Sequence, residues 1–278
     1  GEVIDHVGGL EDLRAGRLRV LGDPSRRMME DPVRMIRAVR FAATLGFEID
    51  SPAREAMILS AERLSEASPA RLYDEIQKLF FCGRAGRVLD MLVDYRLLDV
   101  LFPDLSVWAR REEQGLAWLK RVARQVDIWR QAGHDVSPDL FLALLCGPYH
   151  EQVAALEIAA GAHPSGALED AALTHLRALS KRISVPRAAA YHAARILAAQ
   201  PRFRLVPARR LNRFLESALF RDAYIYFKMT ERFNGRNPEA LAWWEQTLGQ
   251  GRGPENAERS LPPGSKSEKE IVQSLRSE

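Results

Sequence analysis

The sequence predicts a mainly α-helical protein with a short β-structured start. Three observations predict it. Apolar residues recur at three- and four-residue spacing through most of the chain. Two helix starts carry the same cap-plus-proline device, Asp31-Pro32 and Ser68-Pro69. Strand-like alternation is confined to the first 22 residues.

At the start, "EVIDHV" (Glu2–Val7) alternates, Gly8-Gly9 breaks it, "LEDLRAG" reads as a short helix or turn, and "RLRVLG" alternates again. Two strands do not make a domain, so this start either belongs to a larger sheet or is a hairpin packed on helices. At the next element Asp31 is the expected N-cap. Pro32 fits the first helical position, where its missing N–H costs nothing, and Gly46 ends the helix. Further helices are expected over Ser51–Leu64, Ser68–Cys82, Arg84–Tyr95, Glu112–Gln131, Ser137–Leu145 and Glu151–Ala160. They continue with Ala167–Lys181, Pro186–Ala199, Ala208–Ser217, Phe220–Phe233 and Pro238–Leu248. The final stretch, from Gly249, is rich in Gly, Pro, Ser and balanced charge, and is expected to be a mobile tail.

Composition narrows the class. Apolar residues make up 46% of the 278, enough for a folded core of two or three small domains. No apolar run is long enough to span a bilayer, and "GEVIDHVGG" lacks the charged-then-apolar pattern of a signal segment. Cys82 and Cys146 stand far apart in apolar contexts and read as reduced thiols of a cytoplasmic protein. His6, His134, His150, His163, His175 and His192 share no metal-ligand spacing. Trp118, Trp129 and Trp243-Trp244 are assigned to the core, as are Phe41, Leu45 and Phe47.

The net charge of +3 is small, but its distribution is uneven. Between Ala171 and Leu215 there are ten Lys or Arg and no acid, and a second arginine-rich segment runs from Arg14 to Arg40. Such blocks attract polyanions, and phosphate contacts supply most sequence-independent affinity for nucleic acid.

Within "MMEDPVRMIRAVRFAATLGFEID" (Met28–Asp50), about 100° per residue puts Met35, Ile36, Val39, Ala42 and Ala43 on one face. Arg34, Arg37 and Arg40 fan across the other, with Asp31 at the entrance. By geometry alone this is an amphipathic helix with a wet basic side. However, "EDPVRMIRAVRFAATLGF" closely resembles a signature of the class II nucleotidyltransferases, the superfamily of bacterial poly(A) polymerases and tRNA CCA-adding enzymes. "IDHVGGLEDLRAGRLRVLGDP" (Ile4–Pro24) is similar to the segment before that signature. "SPARLYDEIQKLFFCGRAGRVLDMLVDYRLLDVLFPDL" (Ser68–Leu105) is similar to the helical motif and RNA-binding neck after it. "ISVPR" and "RFLESALFRDAYIYFKM" through to "WW" look more specifically like bacterial poly(A) polymerases.

The resemblance implies a remnant of an α/β nucleotidyltransferase head over residues 1–48, carrying the base-reading helix. It implies a helical RNA-binding neck over 49–106, a helical body and tail over 107–249, and a flexible tail over 250–278. Asp31 and Arg34 would read the edge of the incoming base, and Arg37 and Arg40 would lie along its triphosphate. Glu30 would brace the turn, while Arg71 and Glu75 would support the reading helix from outside. From its charge alone, the Ala171–Leu215 block, through Lys181, Arg182, Arg187, Arg209, Arg210 and Arg213, is expected to guide the RNA backbone without reading bases. Arg71 and Glu75 also stand four residues apart on one helix, where an exposed ion pair is the plain expectation.

The chemistry of the pair agrees with that role. Adenine and cytosine each present an amino donor beside a ring-nitrogen acceptor, matching a carboxylate beside a guanidinium. Guanine and uracil put a carbonyl where the amino group should be, and leaving buried groups unpaired costs on the order of 10⁴-fold in discrimination. Asp31 and Arg34 therefore admit ATP and CTP alike.

Nucleotidyl transfer also needs metal-held carboxylates. In the family these lie in a Gly-Gly…Asp-x-Asp strand motif, which is expected upstream of Gly1; Gly8-Gly9 is followed by "LEDL", and Asp5 and Asp12 are poor substitutes. No catalytic residue is therefore assigned here, and Mg²⁺ is expected on the upstream head. The function expected is template-independent addition of AMP from ATP to RNA 3′ ends, by a monomer with no membrane partner. The alternatives are CCA addition to tRNA, an inactive helical RNA-binding fragment, and a helical scaffold that binds only protein. The tail departs from the arginine-rich extension with which bacterial poly(A) polymerases often end.

Overall fold

The computed structural model describes residues 4–208 and 211–249, and these are mainly α-helical. Over Ile4–Val7, the described part of "EVIDHV", the expected strand is replaced by a capping loop before α1 (Gly9–Arg14). Asp5 accepts the Val7 N–H at 3.0 Å and the Leu10 N–H at 2.8 Å. A short acidic side chain offered this local bonding has an alternative to a sheet ladder. The Leu10 N–H foremost, with those of Val7 and Gly9, draws the Asp5 carboxyl pKa down to about 2.

The second expected strand survives only as β1 (Arg17–Leu18), and its partner is not a hairpin neighbour. β1 pairs in parallel with β2 (Glu48–Ile49), Arg17 opposite Glu48 and Leu18 opposite Ile49. A parallel pair requires a crossover, which here consists of α2 (Pro24–Glu30) and α3 (Val33–Leu45). The reading from Asp31 onward missed α2, although Asp23-Pro24 repeats the same start signal. The Asp23 carboxylate accepts the Ser25 N–H at 2.9 Å. In α3 the face expected inside is inside: Met35, Ile36, Val39, Ala42 and Ala43 are buried. Gly46 closes the helix at φ 74°, a left-handed conformation that favours glycine.

The next helix is shorter than expected. α4 (Ser51–Ser60) passes into a 3-10 segment at Ala61–Glu66, followed by α5 (Pro69–Phe80) and α6 (Ala85–Asp94). Two short helices escaped the periodicity, α7 (Leu97–Leu101) and α8 (Pro103–Arg111), and α9 (Gly115–Gln131) starts later than Glu112. Asp127 of α9 caps α6 across the fold, accepting from Ala85 N at 2.7 Å and Gly86 N at 2.9 Å.

The break expected around "CGPYH" is absent. α10 (Pro138–Ala159) runs through Pro148, and its segment from Leu140 to Gly147 is buried throughout. Proline removes one intrahelical bond, and packing of both flanks overrides that loss. α11 (Pro164–Ile183), α12 (Arg187–Ala198) and α13 (Gln200–Arg204) follow. The described chain closes with α14 (Leu211–Leu215), α15 (Phe220–Asn234) and α16 (Pro238–Thr247).

Among the described residues an apolar cluster extends from Met28 to Leu248. α10 packs on α11 and α12, and α11 also reaches α5. The last helices close on an aromatic knot around Phe203, which stacks on Phe227 with centroids 5.2 Å apart. Trp244, fully buried in that knot, donates its indole N–H to the Phe203 carbonyl at 2.9 Å. Trp118 and Trp129 are core residues as expected, whereas Trp243 is only half-buried. Both cysteines are free thiols, and burial pushes the Cys146 thiol pKa up to about 12. Among the described residues, no helix is long and apolar enough to cross a membrane.

Candidate nucleotide and nucleic-acid interface

The chain turns from α2 into α3 at Asp31, whose backbone is extended (φ −149°, ψ 95°). Its carbonyl accepts the Arg34 N–H at 3.1 Å, and its carboxylate Oδ1 accepts the Val33 N–H at 3.3 Å. The cap position falls on Pro32 and regular helix starts at Val33, one residue later than expected, while the Asp31 carboxylate still takes up the first helical N–H. The Arg71 guanidinium of α5 reaches the same carboxylate, donating to Oδ1 at 3.3 Å and Oδ2 at 3.1 Å. A carboxylate offers about four acceptor positions. With its side chain 24% exposed, Asp31 keeps room for one more donor arriving from solvent.

Arg34 is half-buried and Arg37 exposed. Neither guanidinium has a hydrogen-bond or ion-pair partner among the described residues. Arg40 is held differently. Its Nη2 lies 3.6 Å from Glu75 Oε2, and its guanidinium sits 4.6 Å from the Phe41 ring centroid. Glu75 also accepts from Lys78 at 2.9 Å. α5 therefore grips α3 twice, through Arg71 at its entrance and through Glu75 further along. The i, i+4 pairing expected between Arg71 and Glu75 gives way to these two longer-range contacts. Glu30 binds Arg26 and Arg27 at 3.2 and 2.8 Å, tying down the last turn of α2 beside Asp31.

The core assignment of Phe41, Leu45 and Phe47 is corrected. Phe41 is 38% and Leu45 55% exposed, and Phe47 is half-buried. On the helical wheel Phe41 falls between Arg34 and Arg37, and Leu45 just beyond Arg34, so both share the arginine face. Apolar type alone had placed them inside; their angular position places them outside.

Asp5 and Asp12 are engaged elsewhere. Buried Asp12 accepts from Arg17 at 2.7 Å and Arg19 at 2.9 Å, and hydrogen bonds from Arg19 and then Arg17 lower its pKa. Among the described residues no three His, Cys, Asp or Glu side chains converge on a metal-sized site. His150 and His175 do meet, Nε2 to Nδ1 at 2.8 Å. Burial holds the pKa of both below the usual histidine value, that of His150 well below.

In the acid-free block, Lys181 and Arg187 are exposed and Arg182 is half-buried at the α11–α12 junction, while Arg213 is exposed on α14. Arg209 and Arg210 lie outside the described residues. Two cations of the block are committed internally. Arg204 pairs with Glu151 at 3.2 Å, and Arg202 covers the Phe214 ring at 3.8 Å. Sequence reasoning missed the direct reach of Arg71 to Asp31. It also missed exposed Tyr191, one turn after Arg187, for which its i, i+4 spacing from that arginine was a usable signal.

Comparison with known proteins places these features in company. Residues 46–108 match the family described as the probable RNA and SrmB-binding site of polymerase A, and residues 160–273 match the polymerase A arginine-rich C-terminus. The second match extends into the tail that by its composition departs from such an extension. Poly(A) polymerase I of Escherichia coli O6:H1 is 40% identical over 124 residues, 45% of this chain and 26% of that protein. The CCA-adding enzyme of Bacillus pumilus is 44% identical over 92 residues, 32% of this chain and 23% of that protein. The chain thus spans about a quarter of the length of these curated relatives. The crystal structure of the Bacillus stearothermophilus CCA-adding enzyme in complex with CTP shares the fold at TM-score 0.53 and 23% identity, covering 89% of this chain and 54% of that one.

Proposed function

We propose, from the premise that this chain is a relative of the class II nucleotidyltransferases, that it selects the nucleotide and holds the RNA in template-independent addition of AMP to RNA 3′ ends. The observation that carries this reading is Asp31, braced by Arg71 at a helix entrance with unpaired Arg34 one turn on. In this role the Asp31 carboxylate accepts the amino group of the base and Arg34 donates to the neighbouring ring nitrogen. Arg37 approaches the triphosphate from the exposed face. Arg40, steadied by Glu75, supplies positive charge behind it. Phe41 offers an apolar edge on the same side.

Under this proposal residues 1–48 carry base reading, 49–106 form the neck, and 107–249 guide RNA over the basic surface of α11, α12 and α14. Magnesium coordination is assigned to carboxylates other than those described here, because Asp5 holds the loop before α1, Asp12 is paired with Arg17 and Arg19, and neither joins a cluster of metal-ligating side chains among the described residues. The protein is proposed to work as a cytoplasmic monomer.

CCA addition to tRNA is the second reading, favoured by the Bacillus pumilus relative and by the equal fit of adenine and cytosine to Asp31 and Arg34. Incorporation from ATP and from CTP, on tRNA and on unstructured RNA, separates the two. The test uses a protein joining this chain to the metal-binding segment of a related nucleotidyltransferase. Sustained extension with ATP alone supports adenylate polymerisation, and CTP-dependent completion of tRNA ends overturns it.

A further inference from the structure

A second surface carries cations of its own. α11 and α12 pack side by side, and the groove between them encloses about 700 Å³ over a floor that includes Leu176 and Ala190. Arg177 and Lys181 stand one turn apart on one rim, and Arg187 and Tyr191 one turn apart on the other. All four are exposed, Tyr191 at 53%. None of the three cations has an ion-pair partner among the described residues, and no acid lines the groove. Elsewhere the protein pairs its surface charges freely, as Arg87 does with Glu48 and Lys120 with Asp90. The turn at the end of the groove is fixed by Ser184 at φ 49° and by Ser180 Oγ donating to the Val185 carbonyl at 2.9 Å. Arg195 steadies Tyr191 with its guanidinium 5.9 Å from the ring centroid.

Unpaired cations beside an open aromatic ring fit one chemistry well. Phosphodiesters take the cations and an unstacked base takes the ring, an arrangement that suits single strands and is tolerant of sequence. An acidic peptide would use the cations and leave the ring idle. A duplex keeps its bases stacked on each other.

We propose that this groove is a binding site for an unpaired nucleotide of an RNA strand. Its base stacks on Tyr191, and its flanking phosphates lie against Arg177, Lys181 and Arg187. The proposal rests on the reading that the body guides RNA, and deepens it from charge attraction to a seat for one base.

The test is equilibrium binding of a labelled, unstructured oligoadenylate to the whole chain, with a duplex of equal length and polyglutamate as competitors. Tyr191→Ala, a change at an exposed position, is expected to weaken oligoadenylate binding roughly tenfold with an unaltered salt slope, and Tyr191→Phe to retain it. The double change Lys181→Ala and Arg187→Ala is expected to lower the salt slope by about 1.4, roughly 0.7 per cation on a single strand. If Tyr191→Ala binds like the parent while the double change weakens binding, the stacking seat is overturned and backbone guiding stands. If neither variant moves the affinity, both fall. Displacement by polyglutamate or duplex as readily as by oligoadenylate also overturns the seat.

Discussion

Arg71 donates to both carboxylate oxygens of Asp31, at 3.3 and 3.1 Å, across 40 residues of sequence. The contact joins α5 to the entrance of α3 and fixes the direction of a carboxylate already tied to the Val33 N–H. Arg71 is 57% exposed, and exposed ion pairs add only about 0–1 kcal/mol to stability. Its value on this account is positional. Arg71→Ala is expected to leave the urea midpoint nearly unchanged while weakening ATP binding about tenfold, the scale of one charged hydrogen bond. A variant that unfolds early, or binds ATP normally, contradicts this.

Gly147 lies against the buried ring of Tyr226, so a Cβ there would overlap the ring and its hydroxyl. The ring is packed on all sides and cannot swing away cheaply. Gly147→Ala is expected to destabilise the fold by about 1–3 kcal/mol in denaturant unfolding. At Gly86 the contact is the flexible Arg124 side chain, 3.3 Å from an added Cβ, and the same substitution is expected to be milder.

Asp127 caps α6 from a helix 41 residues away, through the Ala85 and Gly86 N–H groups. Asp127→Ala strips both acceptors from an N-terminus, a loss of about 0.5–2 kcal/mol. Asp127→Asn keeps one acceptor and is expected to fall between the two in thermal unfolding.

Buried His150 and His175 titrate below the usual 6.5 in the fold, by desolvation first, with the charge of His175 adding to the effect on His150. Between 6.5 and those lower values the unfolded chain binds more protons than the folded one, so stability falls as pH falls through that window. Above 6.5 the contribution is constant. The expected slope reaches up to about 1.4 kcal/mol per pH unit for each histidine. Replacing His150 with Gln should flatten the dependence seen in urea unfolding.

How far these features were legible in the sequence varies with the range of the interaction. The buried face of α3 and its end at Gly46 were readable, because each depends on residues within a turn or two, and its start was read one residue early, at Pro32 instead of Val33. Pro148 was misread because packing at Leu140–Gly147 decides that helix, and packing is not a local property. The reach of Arg71 was hidden for the same reason, being a contact between helices. Phe41 was misplaced by residue type, when its own angular position already put it among the arginines. Over Ile4–Val7 the expected strand gave way to Asp5, which accepts the Val7 and Leu10 N–H groups and so offers the backbone an alternative to a ladder.

The central claim is tested most directly by nucleotide choice. A protein joining this chain to the metal-binding segment of a related nucleotidyltransferase, with Asp31→Ala or Arg34→Ala, should be offered ATP, CTP, GTP and UTP separately, and incorporation measured for each. The parent is expected to prefer ATP and CTP over GTP and UTP, and each variant to lose roughly tenfold or more of that preference. An unchanged ranking with an unchanged margin in both variants would show that Asp31 and Arg34 do not read the base.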